Sequence, residues 1–346
     1  MKTTRIGMRY WLQWSTVAIV VTAVLAGACT QPADEDDLAS QPLVVYSGRN
    51  EALIGQLLKR FERHTGLQVK VRYASTSELV ATLLEEGKAT PADVFISQDA
   101  AALGALVAAG RLKPLRQELL SRVEPRFRAP GGEWIGISGR ARCLVYAPER
   151  IGADELPTSL DELGDARFRG RFGVAPANGS FQAHMAVYRT VRGADALGRL
   201  LAAMVANEPG RYAKNSAIVE AVSAGEIDFG VVNHYYLWRA KEENPSVSAE
   251  NFFLTEGEAS SFINLAGAGA LSDRPDAARL ITFLLSDDAQ AYFAAETFEY
   301  PLVPGIEPSV ELTPLAEIDT PDVDYGAVSA ALSATLSDIV DSGLLR

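Results

Sequence analysis

The stretch that decides the reading is Ile227-Asp228-Phe229-Gly230-Val231-Val232-Asn233-His234-Tyr235-Tyr236. Ile227 to Val232 reads as a buried strand, and the chain then turns polar where a helix is expected to begin. Two adjacent tyrosines with polar neighbours at a strand end occupy the position of ligands. A phenolate is a hard oxygen donor and suits a hard cation such as Fe³⁺. A bare Tyr-Tyr pair fits half-buried packing equally well, so its meaning depends on the rest of the chain.

Upstream, short β-branched runs alternate with amphipathic stretches. Leu43-Val44-Val45-Tyr46 reads as a strand, 51–64 as a helix with Leu53, Ile54, Leu57, Leu58 and Phe61 on one face, and Gly66 as its stop. A strand over 68–73, a helix over 76–86 and a strand over 93–96 follow. Phe172-Gly173-Val174-Ala175 opens a second block in the same style, with a helix from Phe181 and another near 216–223. Alternation of this kind implies an α/β protein whose largely parallel sheets are covered by helices. In open α/β sheets ligands collect beyond the carboxyl ends of strands. Ser47-Gly48-Arg49-Asn50, Ser97-Gln98-Asp99, Ala177-Asn178-Gly179-Ser180 and Asn233 to Tyr236 share that location, which points to a cleft between lobes.

The first 28 residues read as an export signal. Lys2, Arg5 and Arg9 precede an apolar run from Ser15 to Ala28, shorter than a comfortable membrane span. Ala26-Gly27-Ala28 is a small-x-small cleavage site, and Cys29 after it makes an imperfect lipobox, so Cys29 is the expected lipidation site. Simple cleavage at the same bond is the alternative, and both export the protein. Residues 29–42 are acidic, contain proline and read as a tether. The formal charge is −12, and removal of the signal's cations makes the remainder more acidic still. Nucleic acid is thereby disfavoured as a partner, and a membrane is met only through the lipid anchor. Once Cys29 is set apart, Cys143 has no internal disulfide partner, and no Cys/His cluster suits zinc.

Asn178-Gly179-Ser180 precedes a helix, where free N–H groups accept an anion or the side chains simply cap. Arg49 and Arg140 each follow a Ser-Gly turn, and an arginine fork suits carboxylate, carbonate or phosphate as well as a surface ion pair. His64, His184 and His234 read as structural or solvated. No nucleophile elbow, H-E-x-x-H pair or phosphate-binding Walker loop is present. Gly267-Ala268-Gly269 lacks the third glycine of a dinucleotide fingerprint and reads as a tight backbone approach. With no catalytic constellation in the sequence, an enzyme is disfavoured.

Together these residues resemble the bacterial ferric-ion-binding proteins, the substrate-binding components of iron(III) ABC importers. The likeness runs over most of residues 43–340. It is carried by Val45-Tyr46-Ser47-Gly48-Arg49, Glu85-Glu86-Gly87, Pro91-Ala92-Asp93-Val94-Phe95 and Ser138-Gly139-Arg140-Ala141-Arg142. It continues through Tyr212-Ala213-Lys214-Asn215-Ser216, Gly225-Glu226-Ile227-Asp228, Asn233 to Tyr236 and Glu299-Tyr300-Pro301-Leu302. The resemblance implies a two-lobed periplasmic binding protein fold that closes by hinge motion. Each lobe would hold a mixed, mainly parallel sheet flanked by helices, with lobe 1 formed by 43–141 and 267–315 and lobe 2 by 142–266 and 316–346.

It implies that Tyr235 and Tyr236 bind Fe³⁺ as phenolates. It also implies a synergistic anion (carbonate, phosphate or citrate), with Asn178, Gly179, Ser180, Asn215 and Asn233 at the anion-holding positions. Arg49, Arg140 and Arg142 are candidates for holding the same anion. Many members carry a histidine where this chain has Asn50 and a glutamate where it has Gln98. A subgroup recruits a third tyrosine near the anion loop, where this chain has Asn178 and Phe181. The expected role is that of a monomer delivering Fe³⁺ to an inner-membrane ABC permease, in the periplasm or on the outer face of the cytoplasmic membrane. The alternative is the same fold binding a small organic or phosphorus-containing anion without metal.

Overall fold

The computed structural model describes residues 41–308, 310 and 312–346. The expected signal peptide, Cys29 and the tether as far as residue 40 lie outside the described residues. Pro42–Arg346 is one compact unit.

Nine strands are found among the described residues: β1 Leu43–Ser47, β2 Val69–Tyr73, β3 Val94–Ser97, β4 Trp134–Tyr146, β5 Phe172–Val174, β6 Gly210–Arg211, β7 Phe229–Asn233, β8 Glu250–Phe252 and β9 Ile263–Ala270. Their order is β2-β1-β3-β9-β4-β7-β5-β6, with β8 paired to β4. β1 is parallel to β2 and β3, and β5 is parallel to β6 and β7. The returns through β4, β8 and β9 are antiparallel.

β4 organises the molecule. From Trp134 to Ala141 it pairs with β9, and from Arg142 to Tyr146 with β7. All its residues are buried. In its second half Leu144 and Tyr146 face one core while Cys143 and Val145 face another, as the two-residue period of a strand requires.

The first core gathers β1, β3, the first half of β4 and the helices Glu51–Thr65, Ala100–Ala108, Pro275–Leu284 and Asp287–Glu296. Its first helix forms for local reasons. Asn50 caps it by accepting the Leu53 N–H at 3.1 Å, Gly66 ends it at φ 75°, and Ile54, Leu57, Leu58 and Phe61 line one face. Burial of each large apolar side chain contributes about 1.5–3 kcal/mol. The second core lies under the helices Gly179–Arg192 and Ala194–Ala206. A smaller third core lies under Asn215–Ala224 and Tyr235–Glu243.

Ile263, Leu265, Ala266 and Ile318 pack in the first core, although the sequence reading set them in lobe 2. The reason is that β9 starts at Ile263, opposite Ala141, and runs back along β4 from its first residue. The helix Tyr325–Asp341 packs against both Ala100–Ala108 and Gly179–Arg192. Its approach requires Gly104, where a Cβ would stand 2.8 Å from the backbone of Tyr325 and Gly326. Among the described residues no helix is long and apolar enough to cross a membrane.

Candidate metal and anion site

The end of β7 delivers Asn233, and the helix Tyr235–Glu243 begins two residues later. Tyr235 is buried and Tyr236 half-buried. Their rings stack, with centroids 4.4 Å apart and planes at 29°. One helical turn on, the Arg239 guanidinium lies 4.8 Å from the centre of the Tyr235 ring, a spacing that favours cation–π attraction. The Tyr236 hydroxyl is held above its ordinary pKa by burial and by Tyr235, while Arg239 and Arg140 pull it down. A cation that binds here has to displace the phenolic proton itself.

Arg142 pairs with Asn233 across the first rung between β4 and β7. Its Nη1 donates to Ser180 Oγ, Asn215 Oδ1 and Asn233 Oδ1, each at 3.1 Å, and its Nη2 to the Val231 carbonyl at 3.3 Å. Asn178 Oδ1 accepts from Ser180 N–H at 3.0 Å and from Ser180 Oγ at 2.6 Å, and Asn215 Nδ2 donates to it at 3.2 Å. Four elements thus bring Arg142, Asn178, Ser180, Asn215 and Asn233 into one network. Gly179 opens the helix Gly179–Arg192 beside it, with open space where a Cβ would stand.

No carboxylate compensates Arg142 among the described residues. Burial pushes its guanidinium down to about 10, and the nearby tyrosines Tyr235 and Tyr236 favour its charged form. Its Nε has no hydrogen-bond partner. A buried cation with neutral neighbours and an unused N–H is chemically suited to an anion.

Arg140 is also buried, with its Nε unpartnered, and donates Nη2 to the Gln98 carbonyl. The Gln98 Oε1 is buried without a partner as well. Gln98 therefore stands beside Arg140, while Asn50 is an exposed helix cap.

Arg49 departs from the expectation that it holds an anion. It is fully buried and forked onto Glu299, with Nη2 at 3.1 and 3.0 Å from the two carboxylate oxygens. Ser138 Oγ also donates to Glu299. Burial raises the Glu299 pKa, but Arg49, Arg140 and the Ser138 hydrogen bond outweigh it and hold the carboxylate below its ordinary value. Arg49 is neutralised by a protein carboxylate, which removes it from the anion set.

The histidines are structural where buried. His184 Nε2 meets the Ala259 carbonyl at 2.8 Å, and His234 uses both ring nitrogens on the backbone. Cys143 is buried and pushed up to about 12, chiefly by desolvation. Sequence reasoning missed the roles of Glu299, Ser138 and Arg239. Only Arg239 left a local signal, its spacing from Tyr235 on one helix face. Among the described residues no cluster of three or more His, Cys, Asp or Glu side chains could hold a metal ion.

Two cores joined by a continuous strand, with polar strand ends and helix starts gathered where the strand changes partner, are the features of a solute-binding protein. The model of the bacterial extracellular solute-binding proteins matches residues 89–325, and the chain belongs to that family. It is 30% identical over 335 residues to the Fe(3+)-binding periplasmic protein of Serratia marcescens, covering 95% of this chain and 97% of that one. It is 30% identical over 322 residues to the major ferric iron-binding protein of Neisseria meningitidis serogroup A, covering 90% and 95%. The crystal structure of iron-bound HitA from Pseudomonas aeruginosa matches with a TM-score of 0.79 and 31% identity over 87% of this chain and 99% of that chain. The fold is accordingly the two-lobed one of periplasmic binding proteins, and the family is one of transport proteins.

Proposed function

We propose that this protein captures Fe³⁺ outside the cytoplasm and delivers it to an ABC permease of the inner membrane. Tyr235 and Tyr236 supply phenolate oxygens, and a synergistic anion held by Arg142, with Arg140, Asn178, Gly179, Ser180, Asn215 and Asn233, completes the coordination. The names of the relatives support the iron reading. The observation that carries the site assignment is the stacked tyrosine pair beside a buried guanidinium that no carboxylate neutralises. Such a site is suited to a metal that arrives with, or recruits, an anion, because each partner offsets the charge of the other.

The protein works as a monomer at the periplasmic or outer face, tethered through Cys29. The lobes follow the cores, with β4 and the β8–β9 return crossing between them. Gln98 stands at the edge of the site, whereas Asn50 serves its helix.

The test is a titration of metal-stripped protein with ferric nitrilotriacetate or ferric citrate at neutral pH, read as the visible tyrosinate-to-iron charge-transfer band. The band is expected for the wild type and absent from the double variant Tyr235→Phe/Tyr236→Phe. A wild type without the band in carbonate, phosphate and citrate would sink the iron reading. It would leave the Arg142 network as a metal-free site for a small organic or phosphorus-containing anion.

A further inference from the structure

Within Asn233–Tyr236, His234 has no part in the proposed chemistry, yet its side chain is fully buried and engaged at both ends. Nδ1 accepts the Ala141 N–H at 3.1 Å, so Nε2 carries the proton and donates to the Phe298 carbonyl at 2.8 Å.

Its two partners mark a division in the fold. Ala141 is the last β4 residue paired with β9, opposite Ile263, and Arg142 is the first paired with β7, opposite Asn233. The His234 N–H donates back to the Ala141 carbonyl at 3.0 Å. Backbone and ring together therefore clasp β4 where it passes from one core to the next. Phe298 belongs to the other side. It is followed by Glu299, the partner of Arg49, and by Tyr300, which exchanges two backbone hydrogen bonds of 2.9 Å with Gly139. Tyr300 packs in the first core, whereas the helix that starts at Tyr235 covers the third.

The geometry of Phe298 adds to this. Its φ of 54° is left-handed, a conformation that a phenylalanine adopts only under constraint, and the imidazole takes up its carbonyl. The His234 ring lies 4.7 Å from that of Tyr300 and meets that of Tyr235 edge-on at 5.8 Å.

We infer that His234 is a positioning residue for iron capture, a latch through which the Phe298–Glu299 segment of the first lobe sets the direction of the Tyr235 phenol. This rests on the proposed function and extends it to a residue that touches neither metal nor anion. Rotation of the lobes about the Ala141–Arg142 switch point moves Phe298 relative to Tyr235. At 2.8 Å the bond has little slack, since hydrogen bonds weaken beyond about 3.2 Å. Tyr235 is thus aligned beside Arg142 only over a narrow range of lobe settings.

The test uses full-length wild type, His234→Phe and His234→Gln, titrated with ferric nitrilotriacetate in carbonate, with affinity measured by competition with citrate. His234→Phe keeps ring volume and stacking but loses both hydrogen bonds. It is expected to bind iron at least about ten-fold more weakly, one hydrogen bond's worth, with a displaced charge-transfer maximum. His234→Gln restores a donor toward Phe298 and is expected to recover most of the affinity and the wild-type maximum. Leu201→Ala, a cavity in the second core, controls for general loosening and is expected to lower the melting temperature without moving the band. Wild-type affinity and maximum in His234→Phe, or an equal displacement in Leu201→Ala, would overturn the latch while leaving the iron reading intact. A wild type with no band at all overturns the iron reading, and the latch with it.

Discussion

Arg142 donates from Nη1 to Asn233 Oδ1 at 3.1 Å, across the first rung at which β4 pairs with β7. The Arg142 guanidinium and the strand that carries the tyrosines are therefore fixed to each other by backbone pairing as well as by the side chains. Arg142 is fully buried, and its pKa is lowered to about 10 because desolvation outweighs the opposing influence of Cys143, Tyr235 and Tyr236. The charge is tolerated because Ser180, Asn215 and Asn233 accept from it, and none of these three carries a negative charge that would neutralise it.

Replacement by methionine separates the two properties. Arg142→Met keeps most of the volume and removes a buried cation, so the metal-free protein is expected to melt within a few degrees of the wild type. Iron binding is expected to fall by about 30-fold or more, the worth of roughly 2 kcal/mol from charge-assisted hydrogen bonds. The difference between carbonate, phosphate and citrate should shrink at the same time. Undiminished anion dependence in this variant would remove Arg142 from the site.

The Arg49–Glu299 pair behaves differently, since both side chains are at most 1% exposed. Glu299→Ala leaves the Arg49 guanidinium buried without a counter-charge, and the loss of stability is expected to be about 3–5 kcal/mol by urea unfolding. Arg49→Met/Glu299→Leu is expected to recover most of it, because two apolar groups need no compensation. A Glu299→Ala variant as stable as the wild type would show that Arg49 finds another anion. That outcome would return Arg49 to the anion set.

These two arginines show what the sequence could and could not convey. The positions of the tyrosine pair, Asn178–Ser180, Asn215 and Asn233 were legible because each lies at a strand end or a helix start, and such addresses follow from local periodicity. The strands 43–47, 69–73 and 94–97 and the helix 51–65 were legible for the same reason. Arg49 was misread because its neutralising carboxylate is 250 positions away, and a Ser-Gly-Arg turn looks alike with or without it. The packing of Ile263, Leu265 and Ala266 in the first core was not legible, because β9 is glycine- and alanine-rich and its register along β4 is set by tertiary pairing. The burial of His234 was equally hidden, since its two partners, Ala141 and Phe298, come from distant parts of the chain.

His184 gives the stability a defined pH dependence. Its ring is fully buried, and desolvation, helped by the Arg142 charge, pushes its pKa from 6.5 down to about 3. The unfolded chain binds a proton near pH 6.5 that the folded protein refuses, so stability is fully present above that pH and declines as the pH falls toward 3. Between pH 7.5 and pH 5 the His184 share of the loss is expected to be about 2 kcal/mol, and His234, pushed by burial from 6.5 down to about 4, adds a comparable share, measured by urea unfolding of the metal-free protein. Glu299, whose pKa is also lowered from 4.5 in the fold, adds to the decline only in stronger acid. His184→Met has nothing to titrate at that position and should remove roughly half of the decline between pH 7.5 and pH 5, leaving the His234 share, and an unchanged slope in this variant would rule His184 out as a source. Because Arg142 contributes to the depression, an anion bound on Arg142 should ease it. The decline should therefore be shallower in saturating phosphate than in chloride, and a ligand held by the β4 guanidinium would be visible in the titration of a histidine on the neighbouring helix Gly179–Arg192.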